Sequence, residues 1–348
     1  MKSFALYRLP FDEHYVELQQ NSGRPLLLFH ISDLNGMNGF VVVPFHVTTE
    51  TPIVLIKPDV VKTHCDYKDK ETCGITDFDW HDNRESYHID FERFHQELDA
   101  GRMSKLVLSR TATVDSDRLS ARATDLFIRA CQRYPRMFVA LVSLPDGDMW
   151  LTATPEVLLQ GSHDHYNTMA LAGTMRLHEE ELSGEGEHIR WAAKEIEEQR
   201  YVASYIADQL KSLTVDYDEH GPRTVRAANL VHLRSDFSFN LPTNVSVCEL
   251  LQTLHPTPAV CGLPKQNAYQ FILSHESAPR LYYSGFMGPI NFQEETHLYV
   301  TLRCMQISQQ GHHTLYAGGG LLRESIEEQE WLETEAKLET MRSLLIDQ

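Results

Sequence analysis

The helix that ends this chain sets the tightest condition on its fold, because three charged side chains, Glu330, Glu333 and Lys337, fall on its apolar face. At roughly 100° per residue they share one side with Ile326, Met341 and Leu344, while Glu328, Glu335, Glu339 and Arg342 take the other. Burying uncompensated carboxylates costs on the order of several kcal/mol. The helix must therefore pack against something cationic, and a metal ion or an ionic substrate is the first expectation.

With 348 residues, 42% of them hydrophobic, the chain can bury a large core and is long enough to be an enzyme. Its formal net charge of −18 argues against nucleic acid or an anionic membrane as partner, since both demand a basic surface. An anionic substrate would have to be met by a local cluster of cations or by a metal. Cys65, Cys73, Cys131, Cys248, Cys261 and Cys304 are scattered without a CxxC pair, a pattern that suits reduced thiols in the cytoplasm. The opening MKSFALYRLPFDEHYVELQQ carries acids where a secretory signal needs apolar residues, and no apolar run reaches the length of a membrane span. A soluble cytoplasmic protein is expected, monomeric or weakly dimeric.

In residues 1–60, LLLFHI, FVVVPF and IVLI read as short strands, and the polar stretch from Lys62 to Ser86 reads as a loop. YHIDFERFHQELDAG predicts a helix closed by Gly101. KLVLSRTATV, MFVALVSL, MWLTATPEVLLQ and YNTMALAGTMR follow as strands. A long helix is predicted from Glu187 to Leu213 with a core stripe of Ala192, Ala193, Ile196, Ala203, Ile206 and Leu210; Glu195 and Gln199 lie within it and Glu198 borders it. Helices are also predicted from Ser246 to Leu254 and over KQNAYQFILSHE, separated by the loop HPTPAVCGLPKQ. HLYVTLRCMQI and TLYAGGG give two more strands, and Ser325 with Glu328 predicts a capping box at the final helix. Without regular βαβ alternation, the expected class is α+β: one domain over 1–348 with large, mostly antiparallel sheets and helices packed outside.

Two acidic pairs, Glu195/Glu198 and Glu330/Glu333, each have the spacing that puts both carboxylates on one helix face. Facing helices of this kind would offer the hard oxygen ligands that suit Mg²⁺. Arg303 alternates with Tyr299, Thr301 and Met305 on a predicted strand, and its guanidinium wants a carboxylate, either from the protein or from a substrate. Gly318, Gly319 and Gly320 allow close backbone approach to an anion, or simply a tight turn. Glu276 and Arg280 read as a structural ion pair, and His163, His165, His312 and His313 are expected to point to water.

Together KLVLSR, TPEVLL, LAGTMR, KEIEEQRYV, LVHL, HPTPAVCGLPKQ, HESAPRLYYSGFMG, VTLRC and YAGGGLLRESIEEQEWLETEAKL occur in the order of the chorismate-utilising enzymes, which this chain resembles from about Lys105 to Met341. That family includes isochorismate, salicylate, anthranilate and aminodeoxychorismate synthases. Residues 1–100 match it poorly. HPTPAVCG is similar to the isochorismate synthase form, and anthranilate synthases lack a lysine at the position of Lys105.

The resemblance implies a sandwich-like fold, chorismate as substrate and Mg²⁺ as cofactor. It implies Lys105 as general base and Glu156 as general acid, with Glu198 and Glu333 binding the metal and Glu195 and Glu330 supporting it. Arg303, the Tyr316 backbone, Gly318 and Gly319 would hold a substrate carboxylate. His232 would stand near the ring, Gly173 and Thr174 at the carboxylate and metal, Ala259 and Val260 would contact the substrate, and Lys337 would balance the glutamates. Lys105 must be neutral to take a proton from water, and Glu156 must be protonated to release a hydroxyl, so each must be tuned against its resting state. The expected activity is isochorismate synthase, serving menaquinone or a siderophore. Salicylate synthase, the synthase subunit of an ammonia-using complex and an inactive binding paralogue are the alternatives.

Overall fold

The computed structural model describes residues 3–72, 74, 78–176, 190–227 and 230–346. Two antiparallel sheets dominate it. The first runs, in spatial order, Gly262–Leu263, Lys105–Asp115, His312–Leu321, Cys304–Ile307, Met149–Thr154, Phe138–Ser143, Ser3–Arg8, Tyr15–Gln20 and Val60–His64, with Asp79–His81 also against Lys105–Asp115. The second runs Tyr217–Ala227, Leu230–Asn240, His165–Arg176, Val157–Ser162, Glu295–Val300, Phe286–Ile290, Gly39–Val43, Ile53–Ile56 and Leu26–Leu28.

The sheets pack face to face because many of their strands are apolar on both sides, the pattern of strands covered on both faces. Ala5, Phe138, Val142 and Trp150 of the first interleave with Phe40, Val54, Met287 and Tyr299 of the second. The rings of Phe138 and Tyr299 stack at 4.2 Å across that layer. Helices cover the outer faces. Helix α1 (Arg84–Asp99), closed as expected by Gly101 at φ +68°, packs with α5 (Lys265–His275) over Leu106, Leu108 and Leu321. Helix α2 (Ala123–Arg133) and α6 (Glu327–Leu345) cover the rest of the first sheet. Helix α3 (Ala193–Ser212) and α4 (Val247–Leu254) cover the second. This is the α+β sandwich expected. Among the described residues no helix is long and apolar enough to cross a membrane.

Several boundaries differ from the sequence reading, each for a physical reason. Val60–His64, which overlaps the start of the predicted loop, and Asp79–His81, inside it, add strands to open sheet edges. Ser3–Arg8 and Tyr15–Gln20, also unpredicted, join Phe138–Ser143 in the first sheet. Helix α3 begins at Ala193, and residues 187–189 of the predicted helix lie outside the described residues. Its buried side is Gln199, Val202, Tyr205, Ile206, Ala207 and Leu210, while Ile196 is exposed. The predicted capping box does not form: Ser325 Oγ accepts from Leu322 N–H, Ile326 is the N-cap, and Glu328 reaches out to Arg84 at 2.8 Å. Helix α6 is enclosed on most sides rather than on one stripe, with Glu335 paired to buried Arg110 and Ile326 exposed.

Candidate active site

Two chain crossings and one bulge build the site. MWLTATPEVLLQ is not a single strand: Met149–Thr154 belongs to the first sheet, Val157–Ser162 to the second, and Pro155–Glu156 carries the chain between them. Proline has no N–H to give a ladder, so the break falls there. HLYVTLRCMQI divides the same way, into Glu295–Val300 and Cys304–Ile307, with Arg303 at φ +44° at the crossing. The crossings brace each other: Val300 N–H donates to Glu156 O at 3.0 Å and Ala153 N–H donates to Arg303 O at 3.0 Å. The bulge lies at Gly173, where the pairing of His165–Arg176 with Leu230–Asn240 shifts register between Ala172 and Thr174. Its φ of +66° suits glycine, and a Cβ there would sit 3.0 Å from that of Glu195.

These features surround a cleft between the sheets, lined among others by Glu156, Thr174, Glu198, His232, Arg303 and Lys337. Gly173, Ala259, Val260 and Gly318 line it too, as expected. Glu156 is buried, and burial raises its pKa to about 8 despite the opposing pull of Lys105, Lys337 and Arg303. The Arg303 guanidinium is also buried: Nη2 lies 3.2 Å from His232 Nε2, and Nη1 has no hydrogen-bond partner. Desolvation lowers its pKa to about 10. His232 sits opposite Thr174, and burial beside Arg303 and Lys337 holds its pKa well below the ordinary value. Because arginine only donates, His232 Nε2 accepts, and Nδ1–H donates to Gly173 O at 3.1 Å. Arg303 therefore presents an unsatisfied cation to the cleft, and among the described residues it does not make the internal salt bridge considered from sequence.

A row of glutamates and lysines from α3, α6 and the strand Lys105–Asp115 adjoins the cleft; of these Glu198 and Lys337 line it, whereas Lys105, expected as the general base, pairs with Glu198 and does not line it. Glu198 Oε1 is 2.9 Å from Lys105 Nζ, and Glu198 Oε2 accepts from Gly173 N–H at 3.2 Å. This ion pair lacks the alignment of a directed hydrogen bond at Lys105 Nζ. Interaction with Lys105 and Lys194 outweighs burial and lowers the pKa of Glu198. A Cβ at Gly320 would lie 2.1 Å from Glu198 Oε1, so that pair exists only because position 320 carries no side chain. Lys337 Nζ donates to Glu333 Oε1 at 2.7 Å and to Gly318 O at 2.8 Å. Lys194 pairs with Glu330, whose pKa is raised to about 7 by burial and by Glu333. Glu195 Oε2 and Glu330 Oε2 are buried without a partner. Gly319 lies against Glu330 Oε2 and Glu333 Oε1, 3.4 and 3.8 Å from where its Cβ would stand.

Four placements differ from expectation. Tyr316 does not line the cleft; its ring stacks with Trp150 and Tyr283, and its hydroxyl turns to Gln306. Gly319 faces the glutamates instead of the substrate wall. Glu195, Glu198, Glu330 and Glu333 do not close into one ligand set: among the described residues, the trio of ligand atoms within 4.8 Å of one another is His88, Glu92 and Glu327 on the surface. His313 is buried, not solvated, bonding Ser116 O at 2.8 Å. Sequence reasoning missed Tyr283, which lines the cleft, Lys194, the residue before Glu195, and Gln199 as a staple between α3 and the bulge. Gln199 accepts from Ala172 N–H at 2.9 Å and donates to Ala170 O at 3.2 Å.

A family profile described as chorismate binding enzyme matches residues 60–346. Isochorismate synthase EntC of Escherichia coli (strain K12) is 28% identical over 242 residues, which are 69% of this chain and 61% of that protein. Isochorismate synthase MenF of the same organism is 32% identical over 261 residues, 70% of this chain and 59% of that protein. The alignments thus span about three fifths of the length of these relatives. The solved structure of MenF, the menaquinone-specific isochorismate synthase from Escherichia coli, superposes with a TM-score of 0.81 at 20% identity, covering 99% of this chain and 88% of that one. At that identity the likeness speaks for the fold, whereas the profile covers most of the sequence: the chain belongs to the chorismate-binding enzyme family.

Proposed function

We propose that the chain is an isochorismate synthase, an isomerase that adds water at C2 of chorismate, shifts the ring double bonds and releases the C4 hydroxyl as water. The observation that carries this reading is Glu156, buried at a sheet crossing with its pKa at about 8. A carboxylic acid that keeps its proton at neutral pH is what departure of a hydroxyl requires. It stands in a cleft whose Arg303 guanidinium has a free donor, suited to a substrate carboxylate.

The residues divide the work. Arg303, oriented by neutral His232, would grip one carboxylate and fix the ring. Glu156 would donate its proton to the leaving C4 oxygen. Lys105 would take a proton from the attacking water; to do so it must be uncharged and released from Glu198. Glu195, Glu198, Glu330 and Glu333 would hold Mg²⁺. The donor chemistry fits, although the four carboxylates would have to draw together around the ion: all are hard oxygens, two are buried without partners, and Gly319 leaves space beside a third. When bound, the ion would neutralise and orient the second substrate carboxylate. Glu198 serves both demands, holding Lys105 here and counting among the metal carboxylates.

The relative described as menaquinone-specific suggests menaquinone synthesis as the destination of the product. Incubating purified protein with chorismate and Mg²⁺ should yield isochorismate by chromatography, and growth of a menaquinone-deficient isochorismate synthase mutant should be restored. Absence of isochorismate, formation of salicylate with pyruvate, or turnover only with added ammonia would reject the proposal.

A further inference from the structure

Strand Lys105–Asp115 is paired on one side with His312–Leu321 from Leu106 to Asp115. Among the described residues its other side meets a strand only at the ends, Gly262–Leu263 opposite Lys105 and Leu106, and Asp79–His81 opposite Thr113 to Asp115. The open stretch between them is buried, so its backbone groups need partners from elsewhere. Val107 N–H finds the Cys261 carbonyl at 2.7 Å, and two side chains supply the partners of the next two groups. Arg280 Nη2 donates to Val107 O at 2.8 Å, and Glu276 Oε1 accepts from Ser109 N–H at 2.7 Å. Successive groups on one strand edge thus find a donor and an acceptor, as they would on a neighbouring strand.

The two side chains are locked together. Arg280 Nε donates to Glu276 Oε2 at 2.6 Å and Nη2 to Glu276 Oε1 at 2.8 Å, with both side chains nearly fully buried. Arg280 Nη1 then reaches Val260 O at 2.6 Å, and the Arg280 carbonyl accepts from Tyr283 N–H at 2.9 Å. Val107, Val260 and Tyr283 all line the cleft, whereas Glu276 and Arg280 do not. The structural ion pair expected from sequence is made, with Glu276 as the C-cap of α5 and Arg280 beyond the helix. The ion pair spans the seam between the HPTPAVCG loop and the strand that begins at Lys105.

We propose that Glu276 and Arg280 are positioning residues of the active site, a two-residue surrogate strand that fixes the Val260 loop and Tyr283 against the strand carrying Lys105. The fork of a guanidinium is essential to this. Three acceptors in different directions are held by one planar group, and an ammonium cannot reproduce that geometry. Displacement of about 1 Å in such a frame can cost roughly 100-fold in rate.

This inference rests on chorismate turnover for its kinetic arm, and a second arm reads the backbone directly. In Arg280→Lys, kcat with chorismate should fall at least about tenfold, while Mg²⁺ affinity, set by glutamates on α3 and α6, stays within about twofold. Hydrogen exchange at the Ser109 amide should quicken at least about tenfold as its acceptor loosens. Glu276→Gln, which keeps an oxygen for Ser109, should show smaller changes in the same direction, and it carries the test if Arg280→Lys does not fold. Unchanged kcat and unchanged Ser109 exchange would overturn the inference, as would equal losses of kcat and Mg²⁺ affinity, which mark general loosening. If the unaltered protein turns over no chorismate, the proposed function fails, and Ser109 exchange alone then decides for or against the clamp.

Discussion

The two sides of the site manage charge in opposite ways. On the wall of Glu156, His232 and Arg303, burial acts with little local compensation: the acid is pushed towards its neutral form, the imidazole is held neutral, and the guanidinium keeps an unused donor. On the wall of α3 and α6, Glu198, Glu330 and Glu333 each have a lysine, Lys105, Lys194 and Lys337 respectively. The first wall is preset, because its groups already stand in the protonation states that proton donation and anion binding need. The second is compensated but exchangeable, since an ammonium beside a carboxylate can be traded for another cation.

The hardest test of the preset wall is Glu156→Gln. It should lower kcat by roughly 10²–10⁴ and leave KM nearly unchanged. It should also change stability in a direction fixed by the pKa shift. With a folded pKa of about 8 against 4.5, the folded protein keeps a proton that the unfolded chain releases. Stability from this group is therefore full below 4.5 and is lost as pH rises towards 8. Tm measured from pH 5 to 9 should fall less steeply in the variant than in the parent. A variant that is inactive but shows the parent's pH slope would separate Glu156 from the titration assigned to it. In the parent, kcat should decline above pH 8 as Glu156 loses its proton.

Arg303→Lys comes next. A flexible ammonium cannot hold His232 and a carboxylate in one plane, so KM for chorismate should rise about 10- to 100-fold, with a smaller effect on kcat. A rise in Mg²⁺ requirement without a change in KM would place Arg303 with the other wall.

How far the sequence foretold this arrangement follows from the same contrast. The α+β class was legible because apolar alternation marks strands whatever sheet they join, while the sandwich arrangement followed from the family resemblance. The glutamates were legible because charges on a helix's apolar face need compensation. What stayed hidden was the division of MWLTATPEVLLQ and HLYVTLRCMQI between two sheets. Both segments keep strand character through the break, and only Pro155 and the left-handed backbone of Arg303 mark it. That crossing is what places Glu156 and Arg303 in the cleft. Tyr316 was named for its backbone beside Gly318, and the sequence held no sign that its side chain packs on Trp150 and turns its hydroxyl to Gln306. Lys194 escaped attention because one lysine at the start of a charged helix looks like any solvated residue.

Lys194 also provides the most delicate test of the exchangeable wall. Its partner Glu330 is nearly fully buried and has a second oxygen without a hydrogen bond, so the ammonium is the close countercharge on that carboxylate. In Lys194→Met the metal-free protein should lose stability, because a buried carboxylate is left unpaired or must take up a proton. Added Mg²⁺ should then restore more of the Tm than it adds to the parent, and calorimetric affinity should rise about two- to tenfold, since the ion no longer competes with an ammonium. If Mg²⁺ binds more weakly instead, Lys194 shapes the carboxylates for the metal and does not stand in for it. The second wall would then be as preset as the first.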